Sequence, residues 1–340
     1  GVHYLPEEAE LVKEIGQAVR RRQLPSAAVR AIGEWDRQSD FLRLYQAAYI
    51  GLQLQKAGIT RVHAHFAGMA ARTAYWLKRF FGIEYSLTAH ANDIFAPREF
   101  VVSLEKVFDE ASSIVTVSDF SVAQLRERFP LNSAKVHRVY NGIDVDAFPQ
   151  SRLSSEPPLL LSVGRLIEKK GFADLIRACA ILQRQGRDFR CEIIGEGPLH
   201  QVLATQIKEA ELAGYVELVG PRSQLEIASR LRVATLFVLA CTTDAEGGMD
   251  NLPTVIMEAM AAGLPVISTP IAGVPEMVEA RVTGDLVPPG DSRALAAAIE
   301  HLLEDRETAA RFGNAARARA AERFSIQANV SALTMLLEQH

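Results

Sequence analysis

Apolar and polar positions recur along this chain with two periods. The runs RVHAHF (61–66), EYSLTAH (84–90), SIVTVS (113–118) and KVHRVYN (135–141) are short and rich in β-branched and aromatic residues, so they read as strands. Helical stretches of a dozen or so residues separate them. After Leu159 the rhythm restarts with LLLSVG (159–164), FRCEIIG (189–195), YVELVG (215–220), ATLFVLA (234–240), LPVISTP (264–270) and GDLVPP (284–289). Four strands followed by six, with helices between them, predict an α/β protein with two parallel sheets covered by helices. Ligand contacts are then expected beyond the carboxyl ends of the strands.

Between the two series lies FPQSRLSSEPPL (148–159), whose three prolines and three serines have linker composition. It divides the chain into a first domain over 1–149, a second over 150–325, and a terminal helix over 326–340. That helix carries Val330, Leu333, Leu336 and Leu337 on one stripe and reaches Gln339. Earlier helices are expected over 6–22, with Leu11, Ile15, Ala18 and Val19 as the apolar face, and over 41–56. The segment 70–82 mixes Tyr75, Trp76, Phe80 and Phe81 with Arg72, Lys78 and Arg79. It fits either a membrane surface or a core helix with its cations on the wet side, and the core reading is preferred.

Chemistry concentrates between 243 and 276, where an acidic, Gly-rich loop precedes a short helix and a buried strand. Asn251 reads as the N-cap, Pro253 as first turn, and Gly263 as the residue past the end. Leu252, Val255, Ile256, Ala259 and Met260 recur at helical spacing and face a core, which leaves Asn251, Thr254 and Glu258 on another face. A carboxylate on that face, behind a loop at the helix amino end, suits a ligand with both hydroxyls and phosphates.

A second candidate site is GRLIEKKGF (164–172), directly after the first strand of the second series. Gly164 allows a tight turn, and Arg165 and Lys170 are two cations beside a helix amino end, which makes a diphosphate site without a metal. Neither a dinucleotide fingerprint nor a Walker loop occurs here. Gly and Pro turns at IIGEGPL (193–199) and VGPRSQ (219–224) can present backbone groups to a base edge. In the first half, His90 stands where a strand opens into TAHANDIF (88–95), with Asn92 and Asp93 beside it, and is a better candidate than His63 or His65.

The 340 residues are 48% hydrophobic and 23% charged, enough for two cores. A formal charge of -4 carries no electrostatic footprint for nucleic acid. The basic run Arg20, Arg21 and Arg22 reads as a solvated helix end. Cys179, Cys191 and Cys241 lie at no metal-ligand spacing and read as core residues of a reducing compartment. No run of about 18 apolar residues occurs and the first ten residues are acidic, so a cytoplasmic protein is expected, with peripheral contact to the inner face of a membrane as an option. The chain opens with Gly1 rather than Met.

Taken together, these motifs resemble the retaining nucleotide-sugar glycosyltransferases of family four. GRLIEKKG, GEGPL and EAMAAGLPVIST (258–269) carry the likeness, and HAHFA, TAHANDIF, VSDFS and NGIDVDAF are similar to its polysaccharide-assembling members. The resemblance implies a GT-B fold of two facing Rossmann-like domains. It also implies transfer of a hexose from a nucleotide-diphosphate sugar to a glycan or lipid-linked acceptor with retention of configuration. Arg165 and Lys170 would hold the diphosphate, Glu258 the ribose, Asp250 the transferred sugar, and His90 the sugar near the reacting centre. Gly164, Gly195, Val219, Asn251 and Leu252 would complete the donor site, with Asn141 at the interdomain cleft and the last helix crossing back to the first domain. No cofactor or metal is expected, and Asp144-Val145-Asp146 is read as a structural turn rather than a metal motif. Family members start with a strand and a Gly-rich loop that do not precede Tyr4 here, so the first domain is expected to lack its amino-terminal strands. A non-catalytic nucleotide-sugar-binding or scaffold protein is the alternative, and an epimerase or phosphorylase on the same fold is a third reading.

Overall fold

The structure is a computed structural model that describes residues 2–35, 41–95, 100–153 and 156–338. Gly1, Ser154 and Ser155 of the linker, Gln339 and the side chain of Asn92 lie outside the described residues. The chain forms two compact units. One comprises Gly1–Thr116, Val122–Arg138 and Met335–His340, the other Val117–Ser121 and Val139–Thr334.

The first unit begins with three helices, α1 (Glu8–Arg20), α2 (Ser26–Trp35) and α3 (Leu42–Lys56). There follow β1 (Arg61–His65), α4 (Met69–Phe81), β2 (Glu84–Ala89), α5 (Ala91–Phe95), α6 (Leu104–Glu110), β3 (Ile114–Thr116), α7 (Asp119–Arg128), whose first three residues are counted with the second unit, and β4 (Val136–Arg138). The four strands pair in sequence order, all parallel. Leu11 and Ile15 of α1 pack into the same core as Trp76, Leu87 and Phe108. Helix α2 escapes the sequence pattern because it buries only Ala28 and carries Gly33 in its interior.

Helix α4 is the core element expected over 70–82, with one correction. Arg72 does not stand on the wet side. It is buried, donates to the carbonyls of Val102 at 3.1 Å and of Ala67 and Gly68, and stacks 4.1 Å from the centre of the Phe100 ring. Lys78 and Arg79 are engaged too, with Glu84 at 2.8 Å and Glu110 at 3.0 Å.

In the second unit β5 (Leu159–Val163), α8 (Phe172–Arg184), β6 (Arg190–Ile194), α9 (His200–Glu209), β7 (Val216–Gly220) and α10 (Gln224–Val233) come first. Then follow β8 (Leu236–Leu239), α11 (Thr254–Ala261), β9 (Val266–Ser268), α12 (Val274–Met277), β10 (Gly284–Leu286), α13 (Ser292–Glu304), α14 (Arg306–Arg323) and α15 (Ile326–Glu338), whose residues from Met335 on are counted with the first unit. The sheet order is β10-β9-β8-β5-β6-β7, every pair parallel. The chain therefore builds outward from β5 in one direction, returns, and builds from β8 in the other. Where it reverses, the loops after β5 and β8 part beyond the carboxyl ends of the strands and leave a crevice. All three cysteines are buried and unpaired in this unit's core. Of the stripe expected on the last helix only Leu336 is buried, whereas Val330 is 55% exposed.

Candidate donor site at the strand reversal

The loop after β5 crosses the loop after β6 at backbone distance. Gly195 has φ +146°, and a Cβ there would lie 1.9 Å from the Gly164 carbonyl oxygen, so no other residue can hold this crossing. Together the two loops and the turn after β7 enclose a cleft of about 540 Å³ lined by Gly164, Arg165, Gly195, Gly197, Arg222 and Ile227, among others. Arg165 is exposed at its rim. Val219, half-buried in β7, is not among the lining residues.

Next to this cleft stands a cluster of charges. After Arg165 the chain makes a 3-10 turn, Glu168–Lys170, that ends at Gly171 with φ +66°. Gly171 passes the Ala240 carbonyl so closely that a Cβ would lie 1.7 Å from its oxygen, which ties the turn to the end of β8. The Thr242 N–H donates to the Lys169 carbonyl at 3.0 Å and the Ala245 N–H to the Glu168 carboxylate at 3.3 Å, so the acidic loop lies along the lysine turn. Lys170 and Lys169 both pair with Asp250, the latter at 3.3 Å, and all three side chains are no more than 15% exposed. The Lys170 stem fills the space beside Gly164, 3.3 Å from where a Cβ would be, which joins the charge cluster to the cleft. Burial pushes the Cys241 thiol beneath the cluster up to about 12, with Lys170 opposing the shift and Asp250 adding to it.

Asp244 builds the loop. Its carboxylate accepts the N–H groups of Gly248 at 2.6 Å and Glu246 at 3.1 Å. Helix α11 then starts at Thr254, later than expected, with Pro253 in the capping position. Asn251 is not its N-cap and does not share a face with Thr254 and Glu258. It is 3% exposed, accepts from the Ser118 hydroxyl at 2.7 Å and donates to Ser121 Oγ at 2.6 Å. Two hydroxyls a few residues apart compete successfully with the helix end for that amide. Leu252 is buried in the core. Glu258 lies one turn into α11, half-buried, and among the described residues its carboxylate has no hydrogen-bond or ion-pair partner. Burial pushes its pKa up.

Sequence reasoning missed two parts of this unit. Lys169 was overshadowed by its neighbour, although the doublet itself was the signal. Glu276 accepts from the Asp119 and Phe120 N–H groups at 2.8 and 2.9 Å and from the Tyr140 hydroxyl at 3.0 Å, which in turn accepts from Arg323. With the Asn251 bonds this gives the VSDFS segment its structural purpose. Asp144 caps the 3-10 turn Val145–Ala147 through the Asp146 N–H. Among the described residues no group of three or more His, Cys, Asp or Glu is arranged to hold a metal ion.

In the first unit His90 directly follows β2, and Ala91–Phe95 is helical rather than a loop. Its Nε2 lies 2.9 Å from His65 Nε2, so one proton is shared between two imidazoles. Phe66, held at φ +78°, places its ring 4.9 Å from that of His65 and 4.7 Å from that of His90. Asp93 accepts the His90 N–H at 2.9 Å. Burial, then the neighbouring His65, lower the His90 pKa, while Asp93 opposes them. His63 is a structural residue between Ser86 and Thr88, at 2.8 and 2.9 Å.

The two parallel-sheet units, one with a crevice at its strand reversal, define a protein of the GT-B class. Residues 145–319 match the family described as glycosyl transferases group 1, and residues 14–147 match Glycosyltransferase Family 4. The chain belongs to the group 1 glycosyl transferases. It is 41% identical over 184 residues to the amylovoran biosynthesis glycosyltransferase AmsK of Erwinia amylovora, covering 54% of this chain and 45% of that protein. It is 34% identical over 238 residues to WcaL of Salmonella typhimurium, a putative colanic acid biosynthesis glycosyltransferase, covering 69% of this chain and 58% of that one. The chain thus spans about half the length of these curated relatives. Among solved structures, Anabaena HepE in complex with UDP superposes with a TM-score of 0.72 at 22% identity, over 87% of this chain and 84% of that one.

Proposed function

We propose that this chain binds a nucleotide-diphosphate sugar in the second unit and transfers its hexose to a growing glycan or a lipid-linked acceptor with retention of configuration. The observation that carries the reading is the cation cluster at the strand reversal: Arg165 at the rim of the glycine-walled cleft and Lys170 beside Gly164. The names of the polysaccharide-assembling relatives support the same class of reaction.

Cleaving the bond between sugar and diphosphate leaves negative charge on phosphate and oxocarbenium character on the sugar. Preorganised cations stabilise the first directly. Arg165 offers a planar fork to phosphate oxygens and Lys170 a point charge. The base lies in the cleft against Gly195 and the turn near Arg222. Glu258, a carboxylate with no partner among the described residues, accepts the ribose hydroxyls. Asp250 faces the transferred sugar, and His90 serves the transfer step. The leaving phosphate assists front-face attack by the acceptor, and no metal or cofactor takes part. With a lipid-linked acceptor the protein works at the cytoplasmic face of a membrane.

The test is to incubate the chain with UDP- and GDP-hexoses and a glycan acceptor and to follow the anomeric signals by NMR. A product with the donor's configuration is expected, and an inverted one overturns retention. Glu258→Ala weakens donor and free nucleotide alike by about 10- to 100-fold, the worth of hydrogen bonds to a charged group. His90→Ala mainly slows transfer and leaves binding near wild type. Equal, negligible effects of both would remove the site.

A further inference from the structure

Two ammonium groups sit on one largely buried carboxylate beside the donor cleft, one more than its single charge balances. Asp250 Oδ1 faces Lys169 at 3.3 Å and Oδ2 faces Lys170, with Asp250 and Lys169 each 15% exposed and Lys170 12%. Lys170 adjoins the cleft through Gly164, whereas the Lys169 backbone is fixed from the other side by the Thr242 N–H. If Lys170 were the sole partner of Asp250, drawing it toward a phosphate would strand a carboxylate that is largely shut off from water, and such a stranded charge is costly. A second ammonium on the other oxygen removes that cost.

We propose that Lys169 is a positioning residue for the donor: it remains on Asp250 when Lys170 exchanges that carboxylate for the diphosphate. The proposal rests on the donor-site reading above. In the free protein Asp250 holds the place of the diphosphate and keeps both lysines ordered. In the bound protein Lys169 keeps Asp250 ionised and in place, and Lys170 is released to the phosphate. No bond is made or broken in this exchange; only ion-pair partners change.

The exchange predicts a pattern that a merely structural lysine does not produce. Binding of uridine, UMP, UDP, guanosine, GMP and GDP is measured by calorimetry on the full chain and its variants. Lys169→Met should weaken UDP or GDP, whichever the wild type binds, by about tenfold, and leave the corresponding nucleoside within twofold. Lys169→Arg should restore diphosphate binding to within about threefold. In an Asp250→Asn background, where no carboxylate is left to strand, Lys169→Met should change diphosphate binding by less than twofold. Equal losses for nucleoside and diphosphate, no loss at all, or the same tenfold loss in the Asp250→Asn background would each overturn the proposal. Glu258→Ala separates the two readings: if it leaves UDP and GDP binding intact, the donor site itself is misplaced, whatever Lys169 does.

Discussion

At the scale of single residues the informative groups are those whose environment opposes their chemistry. Glu258 is half-buried and has no partner among the described residues, and burial raises its pKa. A carboxyl group whose pKa is higher in the folded than in the unfolded chain stabilises the fold below its unfolded value, and that contribution is lost as pH rises through the folded value. Glu258→Gln should therefore raise Tm at pH 7.5 and leave it unchanged at about pH 4, where the wild-type group is protonated as well. Binding runs the opposite way. The ionised carboxylate offers each of two hydroxyls its own charged acceptor oxygen and so binds them more strongly than the neutral acid or an amide. Nucleoside diphosphate affinity should therefore fall as pH drops through the raised pKa in the wild type, and stay low and flat in Glu258→Gln. Calorimetry from pH 8 to pH 5 checks it, and parallel pH profiles would show that Glu258 does not touch the ligand. The sequence could place this carboxylate on a helix face, because the 3.6-residue period is local. It could not reveal that Asn251, seven residues earlier, turns inward, since Ser118 and Ser121 lie more than 120 positions away.

At the scale of elements, the cleft depends on how closely two loops cross. Strands β5 and β6 are paired in register from Leu159 to Val163, and their exits must then separate enough to admit a ligand. The Gly164 carbonyl passes over Gly195, whose φ of +146° is a conformation essentially reserved for glycine. Gly195→Ala should cost about 3 kcal/mol or more, because the strain and the clash add. The variant should melt well below wild type and lose UDP or GDP binding beyond what its lost stability explains. An unchanged Tm would mean that the crossing relaxes freely. The ten strands among the described residues were legible because β-branched runs at regular spacing have no good alternative. Helix α2 was not, because an element that buries one alanine leaves almost no period. The start of α11 was not either: Pro253 fixes the boundary, while the side chain that looked like its cap was taken by a tertiary contact.

At the scale of the molecule, each unit has its own parallel sheet and core, but only the second shows a reversal of strand order among the described residues. That reversal could not be read from sequence, because strand order depends on which neighbours pair and not on where strands fall along the chain. Once known, it explains why the chemistry lies in widely separated stretches. Residues 164–171 follow β5 and residues 240–253 follow β8, the two strands between which the direction of building changes. A ligand held there should quiet those loops before anything else. With saturating UDP or GDP, hydrogen exchange of the whole chain should slow most at 164–171, 195–199, 220–224 and 242–254. The strands themselves, already protected by their ladders, should change little. The effect should be at least tenfold in those loops for a ligand bound a hundred times above its Kd, since opening that expels the ligand is suppressed in proportion to occupancy. Protection confined to other loops, with these four unchanged, would mean that the nucleotide binds elsewhere and that the strand reversal is only a feature of the fold.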